Sequence, residues 1–470
     1  MRSKKKEREK RDTKIKDFLT KRGYNVSDKA MEYIKTADDW YSNELIEKFH
    51  KRVTVNGQPY VLKHLDFAKT CCNDDANLCE VLEITSSASD RDNDELNKIL
   101  KENNFDTIFR RQVEKTSALG TTACYVVVEN ADVYEDGSVK NGEIKLNYVD
   151  AGNYIPLTVV NEQVIEAAFG SQRLVNGKDE STIVIFTKDA DTGRYVAESV
   201  LLDDEGNEKA SNKIELSETK PFAVYRTAET NNLREMGEGY GLPKVYDNIS
   251  LFEIVDLAFN VLFTDLEKGE KIILANDILC KYDENGNVVQ STESKKMFVL
   301  TGERLPEQNS LIHEYNPDIR IDEIRNTFET VLSLLTLRFG FGAKKYTFED
   351  GRITTATEYI GSKQDQMQAL NRQRYQSTLY ITEIVNAIKA CSNMFNGTNY
   401  SLDEEVVVEY DDSYIVDKES ELERKRNDAQ TFDIPELLIW YLMDAYHITE
   451  EEATKLVNRE PAEDDDGTEE

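Results

Sequence analysis

The sequence predicts an α+β fold on three observations. Apolar residues recur at intervals of three and four from about residue 13 to residue 115, which is the spacing of amphipathic helices. Short segments rich in Val, Ile and Tyr, separated by turn residues, fill residues 121 to 227. Helix-type patterns return from Pro243 onward. The 470 residues allow about two to four domains.

The composition excludes several classes of protein. The 23 Tyr and 18 Phe can build a sizeable core, whereas 22 Gly and 8 Pro are too few for a collagen-like or linker-dominated chain. No apolar run approaches the roughly 18 residues that cross a bilayer, so no membrane partner is expected. The basic N-terminus lacks a signal-peptide apolar region, and the six cysteines form no disulfide framework. We expect a protein that stays in the cytoplasm with reduced, structural thiols.

The net charge of −32 constrains nucleic-acid binding, because such a surface repels phosphates at long range. DNA would therefore either contact the protein only at local sites or pass along it without binding. Residues 1 to 22 hold eleven Lys or Arg against four acids, and the last eleven residues hold seven acids and no base. These runs are typical of solvated tails, and contact of the basic arm with an acidic partner is the alternative.

The first helices are predicted in DKAMEYIKTADDWYSNELIEKF and DELNKILKENNFDTIFRRQVEKTSAL, with a polar loop between them. The β-rich region follows, mainly antiparallel. Its predicted strands are ACYVVVEN, EIKLNYVD, STIVIFTKD, RYVAESVLL and FAVYRT.

A helix of about 27 residues, roughly 40 Å long, is predicted from Pro243, which suits a first helical turn. One apolar stripe contains Val245, Ile249, Phe252, Val255, Phe259, Leu262 and Leu266, and a second line contains Leu251, Ile254, Ala258 and Val261. A helix that is apolar on two faces must be covered on two sides, either in a bundle or in an oligomer.

Four further parts complete the prediction. A short β-like insertion (KIILAND, VVQSTES, MFVLTGE) precedes a second apolar helix over residues 321 to 339. A Gly-bounded loop, GFGAKKYTFEDGR, leads to a third helix, N-capped by Thr355 and running to about Met394. Its Gln- and Arg-rich face is predicted either to grip DNA or to lie in a subunit interface. A strand (EEVVVEY), a charged helix and two short helices end the chain.

Catalytic and cofactor motifs are absent from the sequence. Gly237, Gly239 and Gly241 precede a helix near Lys244, but the spacing matches no phosphate-binding loop, and a flexible hinge is favoured. The four histidines accompany no metal-binding or nucleophile motif. We therefore expect no enzyme activity, no cofactor and no metal.

The order of these elements resembles the portal proteins of tailed bacteriophages. GYGLPKVYDNISLFEIVDLAFNVLFTDLE and ITTATEYIGSKQDQMQALNRQRYQSTLYITEIVNAI carry the likeness, and KTCCNDDANLCEVLEI with VDAGNYIPL is similar to the family's wing. The resemblance implies a portal-like α+β fold. Its parts would be a wing with a basic arm (1–237), a first stem helix (238–268), a clip (269–319), a second stem helix (320–339), a tunnel loop (340–353), a long kinked helix with a returning wing strand (354–430), and a crown with an acidic tail (431–470).

The resemblance also implies a function and its residues. The chain would form a dodecameric ring at one capsid vertex, the head-tail connector of the virion, assembled in the bacterial host cytoplasm. DNA would pass through the channel non-specifically during packaging and ejection. The other partners would be terminase, head-completion adaptors, and the major capsid and scaffolding proteins. DNA would face Phe341, Lys344, Lys345, Phe348 and Arg352 of the tunnel loop, and stem contacts between subunits would use Phe252, Phe259, Phe263, Phe328 and Leu335.

Two alternatives remain open from the sequence alone. One is a nucleotide-dependent enzyme that uses the Gly-rich residues 237–244, and the other is a different capsid or tail scaffold protein.

Overall fold

The computed structural model describes residues 14–54, 56–87, 89–133, 139–175, 178–203, 205–269, 272–276, 284–285, 297–300, 312–315, 320–342, 345–346, 356–411, 418–432, 434–446 and 448–458. The chain divides into two compact units, Met1–Val408 and Glu409–Glu470. Helices and strands both contribute large parts, so the predicted α+β class is confirmed. None of the described helices is long and apolar enough to cross a membrane.

Helices dominate the start of the first unit, as the periodicity predicted. They are α1 (residues 14–21), α2 (Asp28–Tyr41), α3 (Phe67–Ala76), α4 (Asp90–Glu102) and α5 (Phe105–Leu119). The side chains of Ser27 and Ser89 accept backbone N–H groups at the starts of α2 and α4. Three short strands that the sequence did not predict interrupt these helices: β1 (Lys51–Val53), β2 (Pro59–Val61) and β3 (Val81–Thr85).

Antiparallel strands follow from residue 121, as predicted. They are β4 (Thr121–Glu129), β5 (Asp132–Val133), β6 (Val139–Lys140), β7 (Glu143–Asp150), β8 (Tyr154–Val160), β9 (Gln163–Val175), β10 (Lys178–Lys188), β11 (Tyr195–Leu202), β12 (Glu208–Glu215) and β13 (Phe222–Arg226). One sheet has the order β12-β11-β10-β9-β8 and another β13-β4-β7. The rings of Tyr125, Phe169, Phe186 and Phe222 pack together and join the two sheets.

The predicted 27-residue helix is two helices, α6 (Lys244–Asp247) and α7 (Ile249–Lys268). The prediction of one continuous helix was wrong because the backbone leaves helical geometry at Asn248, at φ −115° and ψ 12°. The Asn248 side chain is buried, and its amide donates to the Lys244 carbonyl oxygen at 2.7 Å. Pro243 lies just before the first turn rather than within it.

The insertion is a small mixed sheet, in line with its β-like prediction. Its strands are β14 (Ile272–Asn276), β15 (Met297–Leu300) and β16 (Ile312–Tyr315). β14 is central, parallel to β15 and antiparallel to β16. The predicted strand VVQSTES lies outside the described residues.

Two long helices complete the first unit. α8 (Ile321–Phe339) ends at Gly340, whose φ of 82° is a left-handed conformation that glycine adopts without strain. α9 (Ala356–Phe395) has 40 residues and is roughly 60 Å long. Its C-terminal half packs on β13 and α5, where Tyr380 stacks on Tyr225 and Phe109. The predicted N-cap Thr355 lies outside the described residues, and β17 (Val407–Tyr410) follows α9.

The second unit contains the predicted charged helix and pair of short helices. These are α10 (Lys418–Phe432), α11 (Pro435–Tyr446) and α12 (Glu450–Val457). Lys425 on α10 pairs with Asp444 on α11, and Ala429 and Ala453 are buried.

The buried cysteines give a first testable prediction. Cys71, Cys72, Cys79, Cys124 and Cys391 are free thiols. Burial raises the pKa of Cys71, Cys79 and Cys391 to about 12. At pH 8 these three should react with iodoacetamide at least roughly a thousandfold more slowly in the folded protein than in urea, because the thiolate is the nucleophile. Peptide mapping by mass spectrometry measures this, and rapid alkylation of any of the three in the folded state would contradict it.

Candidate subunit interface and channel loop

Helices α7 and α8 form an antiparallel hairpin that is fastened at both ends. Near the insertion, the Arg320 guanidinium donates two hydrogen bonds of 3.0 Å to the Asp265 carboxylate. At the opposite end, Arg338 Nε donates to Asn248 Oδ1 at 3.1 Å. An apolar seam lies between these ends and consists of Val255, Ile324, Phe328, Val331 and Leu332, with Leu251, Ala258, Phe259 and Leu262 packed against it. The hairpin is therefore a stiff two-helix element.

Three of the five predicted stem-interface residues are buried within the chain. Phe252 is 2% exposed and packs on Trp40 and Phe339, and Phe328 and Leu335 are also buried. The expectation that these three need a neighbouring subunit to cover them was wrong, because all three are buried in the single chain, Phe252 by Trp40 and Phe339 and Phe328 in the seam with Val255 of α7. Phe259 is half-buried in the seam, and Phe263 is exposed.

Other apolar residues of the hairpin face solvent. We call Ile254, Leu257 and Val261 on α7, with Leu334 and Leu337 on α8, the outer stripe. Each of these side chains is 38% to 51% exposed. Spacings of three and four residues place the α7 members on one face of the helix. The sequence contained a signal for two of them, because Ile254 and Val261 belong to the second apolar line.

Polar side chains of α7 hold the segment that contains β1 and β2. Asp256 Oδ2 accepts from His50 Nε2 at 2.9 Å, and Asp256 Oδ1 accepts from the Leu65 N–H at 2.8 Å. The Ile46 N–H donates to His50 Nδ1, so the ring hydrogen is on Nε2. One turn further on, Asn260 Oδ1 accepts from the Lys63 N–H at 3.0 Å. Burial raises the pKa of Asp256, and the hydrogen bonds from His50 and Leu65 oppose that shift.

Two of the predicted DNA-facing residues, Phe341 and Lys345, contact other side chains of the same chain. Phe341 is buried and stacks on Phe339. Lys345 Nζ lies 3.0 Å from the Asp74 carboxylate and 4.2 Å from the centre of the Phe341 ring. The DNA-facing prediction is therefore corrected for Phe341, which is buried against Phe339, and it stays a prediction for Lys345, which is exposed and paired with Asp74 on α3. Lys344, Phe348 and Arg352 lie outside the described residues.

The Gly-rich residues 237–244 form a packing junction rather than the predicted hinge. A Cβ on Gly241 would lie 2.3 Å from the Gly120 carbonyl oxygen, and one on Gly239 would lie 2.4 Å from the Pro156 ring. The Gly241 N–H donates to Thr121 Oγ1 at 2.9 Å. These glycines therefore permit close backbone approach between this segment and the start of β4.

Lys244 is engaged by two carboxylates inside this junction. Its Nζ lies 2.9 Å from Asp75 and 3.1 Å from Glu229, and the residue is 6% exposed. Burial acts to lower the pKa of Lys244, but Asp75 and Glu229 outweigh it and raise the pKa above its ordinary value. A polar cleft of about 390 Å³ lies beside the junction. Its Arg226 donates to the backbone carbonyls of Glu238 and Glu162, so both Arg226 and Lys244 are occupied by protein groups.

The predicted polar face of α9 is exposed at Gln368, Asn371 and Arg372. Tyr375 and Leu379 continue the same face and are also exposed. The exposed face of α9 therefore combines polar and apolar side chains. Within the part of the chain that the structure describes, no group of three His, Cys, Asp or Glu side chains is placed to hold a metal ion.

Comparisons with known proteins give similarity to solved structures alone. No protein-family model matches the chain, and no curated protein matches it. Among solved structures, a chain from the neck of a native gene transfer agent particle, computed with C12 symmetry, is similar with 11% sequence identity and a TM-score of 0.39. The match covers 84% of this chain and 90% of that chain.

Proposed function

We propose that this chain is a portal protein, a structural subunit that forms a closed ring around a DNA channel at one capsid vertex. The observation that carries the proposal is the α7–α8 hairpin, whose apolar seam is already buried while the outer stripe remains in water. Exposed apolar side chains grouped on one helix face, as on α7, form a candidate interaction surface. In a ring, a second copy of the chain covers the outer stripe.

A ring fits the distribution of the outer stripe better than a twofold dimer does. The α7 and α8 portions of the stripe are different surfaces on different helices. If the α7 portion of one subunit packs on the α8 portion of the next, the contact is head-to-tail and each subunit uses both portions. Such contacts repeat until a closed ring covers every stripe. The resemblance to phage portals implies twelve subunits.

The small area of the outer stripe also limits the free energy that it can contribute to association. Covering five half-exposed aliphatic side chains would contribute about 5 kcal/mol per interface. Association costs an estimated 4 to 15 kcal/mol, so the stripe by itself yields weak rings at best. Additional intersubunit contacts are therefore required from other parts of the chain.

The remaining roles follow from the same proposal. The acidic chain lets double-stranded DNA slide non-specifically, and Lys344 and Arg352 of the tunnel loop would be its basic contacts. The insertion after α7 would dock terminase, which hydrolyses ATP, and later the head-completion adaptors. The portal itself performs no catalysis, and it joins the major capsid and scaffolding proteins in the virion. The occupied Lys244 and Arg226 support this role over a nucleotide-dependent enzyme.

The mass and shape of the purified full-length protein test the proposal. We expect closed rings with a central hole in electron micrographs, and a sedimentation mass near twelve times the 53.9 kDa of one chain. A compact monomer at every protein concentration would overturn the proposal. If that monomer also bound ATP in equilibrium dialysis, the nucleotide-dependent alternative would be supported instead.

A further inference from the structure

The β1–β2 hairpin has both of its ends attached to α7. His50, just before β1, bonds to Asp256, and Lys63, shortly after β2, bonds through its N–H to Asn260. Lys63 Nζ also lies 4.7 Å from the centre of the Phe263 ring on the same helix. The position of the β1–β2 hairpin is therefore set by α7 rather than by the large sheets of the first unit.

The two strands of this hairpin expose apolar residues on one face. The register pairs Val53 with Pro59 and Lys51 with Val61. Paired residues and residues two apart share a face of a sheet, so Val53, Pro59 and Val61 lie together. Val53 is 66% exposed, and Pro59 and Val61 are exposed as well. An isolated two-stranded hairpin is marginally stable in water, and here β2 is exposed along its whole length.

The attachment points place the β1–β2 hairpin beside the outer stripe. Asp256 and Asn260 each precede a stripe residue, Leu257 and Val261, by one position. Consecutive residues of an α-helix are about 100° apart around its axis. The β1–β2 hairpin therefore lies on the face of α7 next to the outer stripe. The β1–β2 hairpin and the α7 portion of the stripe are therefore neighbours on the surface of the chain.

We propose that the β1–β2 hairpin of one subunit docks on helix α8 of the neighbouring subunit and covers its Leu334 and Leu337. The inference rests on the proposed ring. The adjacency of the exposed apolar residues of the β1–β2 hairpin to the outer stripe argues for a second copy of this chain as the occupant, and the small area of the stripe demands a contact from another part of the chain. The α8 portion of the stripe is an exposed apolar surface of matching chemistry on the next subunit.

Photo-crosslinking in assembled rings tests the contact directly. Val53 is 66% exposed on the apolar face of the β1–β2 hairpin, so p-benzoyl-L-phenylalanine can replace it on the docking face without disturbing a buried contact. After irradiation we expect a dimer band on a denaturing gel, with the crosslinked peptide mapping to residues 321–339 of a second chain. Rings that give only intrachain adducts, or adducts to another region of the neighbour, would overturn the inference and leave the ring intact as a proposal. Absence of rings before irradiation would instead count against the proposed function.

A pair of substitutions provides an independent measurement. Val53→Asp with Val61→Asp should raise the protein concentration needed for half-maximal ring assembly at least about tenfold, because two apolar contacts per interface become charged. Ile214→Asp, at an exposed apolar position of strand β12, is the matched control and should leave assembly unchanged. Circular dichroism verifies that each variant is folded. Equal assembly of the folded double variant and the control would contradict docking through this face.

Discussion

Replacing Leu257 and Val261 together with Asp is expected to convert rings into monomers. Both side chains are exposed in the single chain, so the variant should fold, but ring closure would bury two carboxylates in an apolar contact. Burial of unpaired charge costs several kcal/mol, more than the contact can supply. Sedimentation velocity should show the ring boundary replaced by a monomer boundary.

The comparison variant for this experiment is Phe259→Asp, which acts on a different surface. Phe259 packs against the seam between α7 and α8, so its replacement should lower the melting temperature as well as assembly. The Leu257 and Val261 variant should lose assembly while its melting temperature changes little. Normal rings from the folded double variant would show that α7 does not pack between subunits through the outer stripe. The assignment of α7 to the stem would then be wrong.

Replacing Lys244 with Ala is expected to lower the free energy of unfolding by about 3 to 5 kcal/mol, the cost of leaving a buried charge without its partner. Asp75 and Glu229 would remain in the junction, and the Asp75 side chain is buried. Because Asp75 and Glu229 hold the pKa of Lys244 above its ordinary value, the stabilisation is fully present below that ordinary value. It declines only as the pH rises beyond it. Urea titration at pH 7 measures the loss.

Lys345→Ala is the matched control, because Lys345 pairs with the adjacent residue Asp74 on the same helix α3 but is more exposed. Its loss should cost only about 0 to 1 kcal/mol, as for other ion pairs near the surface. Equal destabilisation by the two substitutions would show that burial of the Lys244 pair does not set its strength. Lys244→Ala protein that remains fully stable but loses nucleotide binding would assign Lys244 to a phosphate site.

Local sequence patterns were sufficient to predict many of the helices and strands. Alternating β-branched and aromatic residues marked β4, β7 and β11, and apolar periodicity marked α8 and α11, because these features depend on residues close in sequence. The pattern did not reveal β1 and β2, which are three residues each and exposed on most positions. Nor did it reveal the break at Asn248, because the stripe continues across it while the break depends on a contact with Arg338, 90 residues away.

The sequence by itself determined that α7 is apolar on two sides and that the segment 340–353 carries basic residues. Only the tertiary structure decided how those residues are used. Phe252 packs on Trp40 and Phe339, whereas Leu257 is 39% exposed, and Lys345 meets a carboxylate that lies 271 positions earlier in the chain. Periodicity specifies which residues share a face, but it carries no information about which distant segment packs against that face. That choice is made by contacts between segments far apart in the sequence.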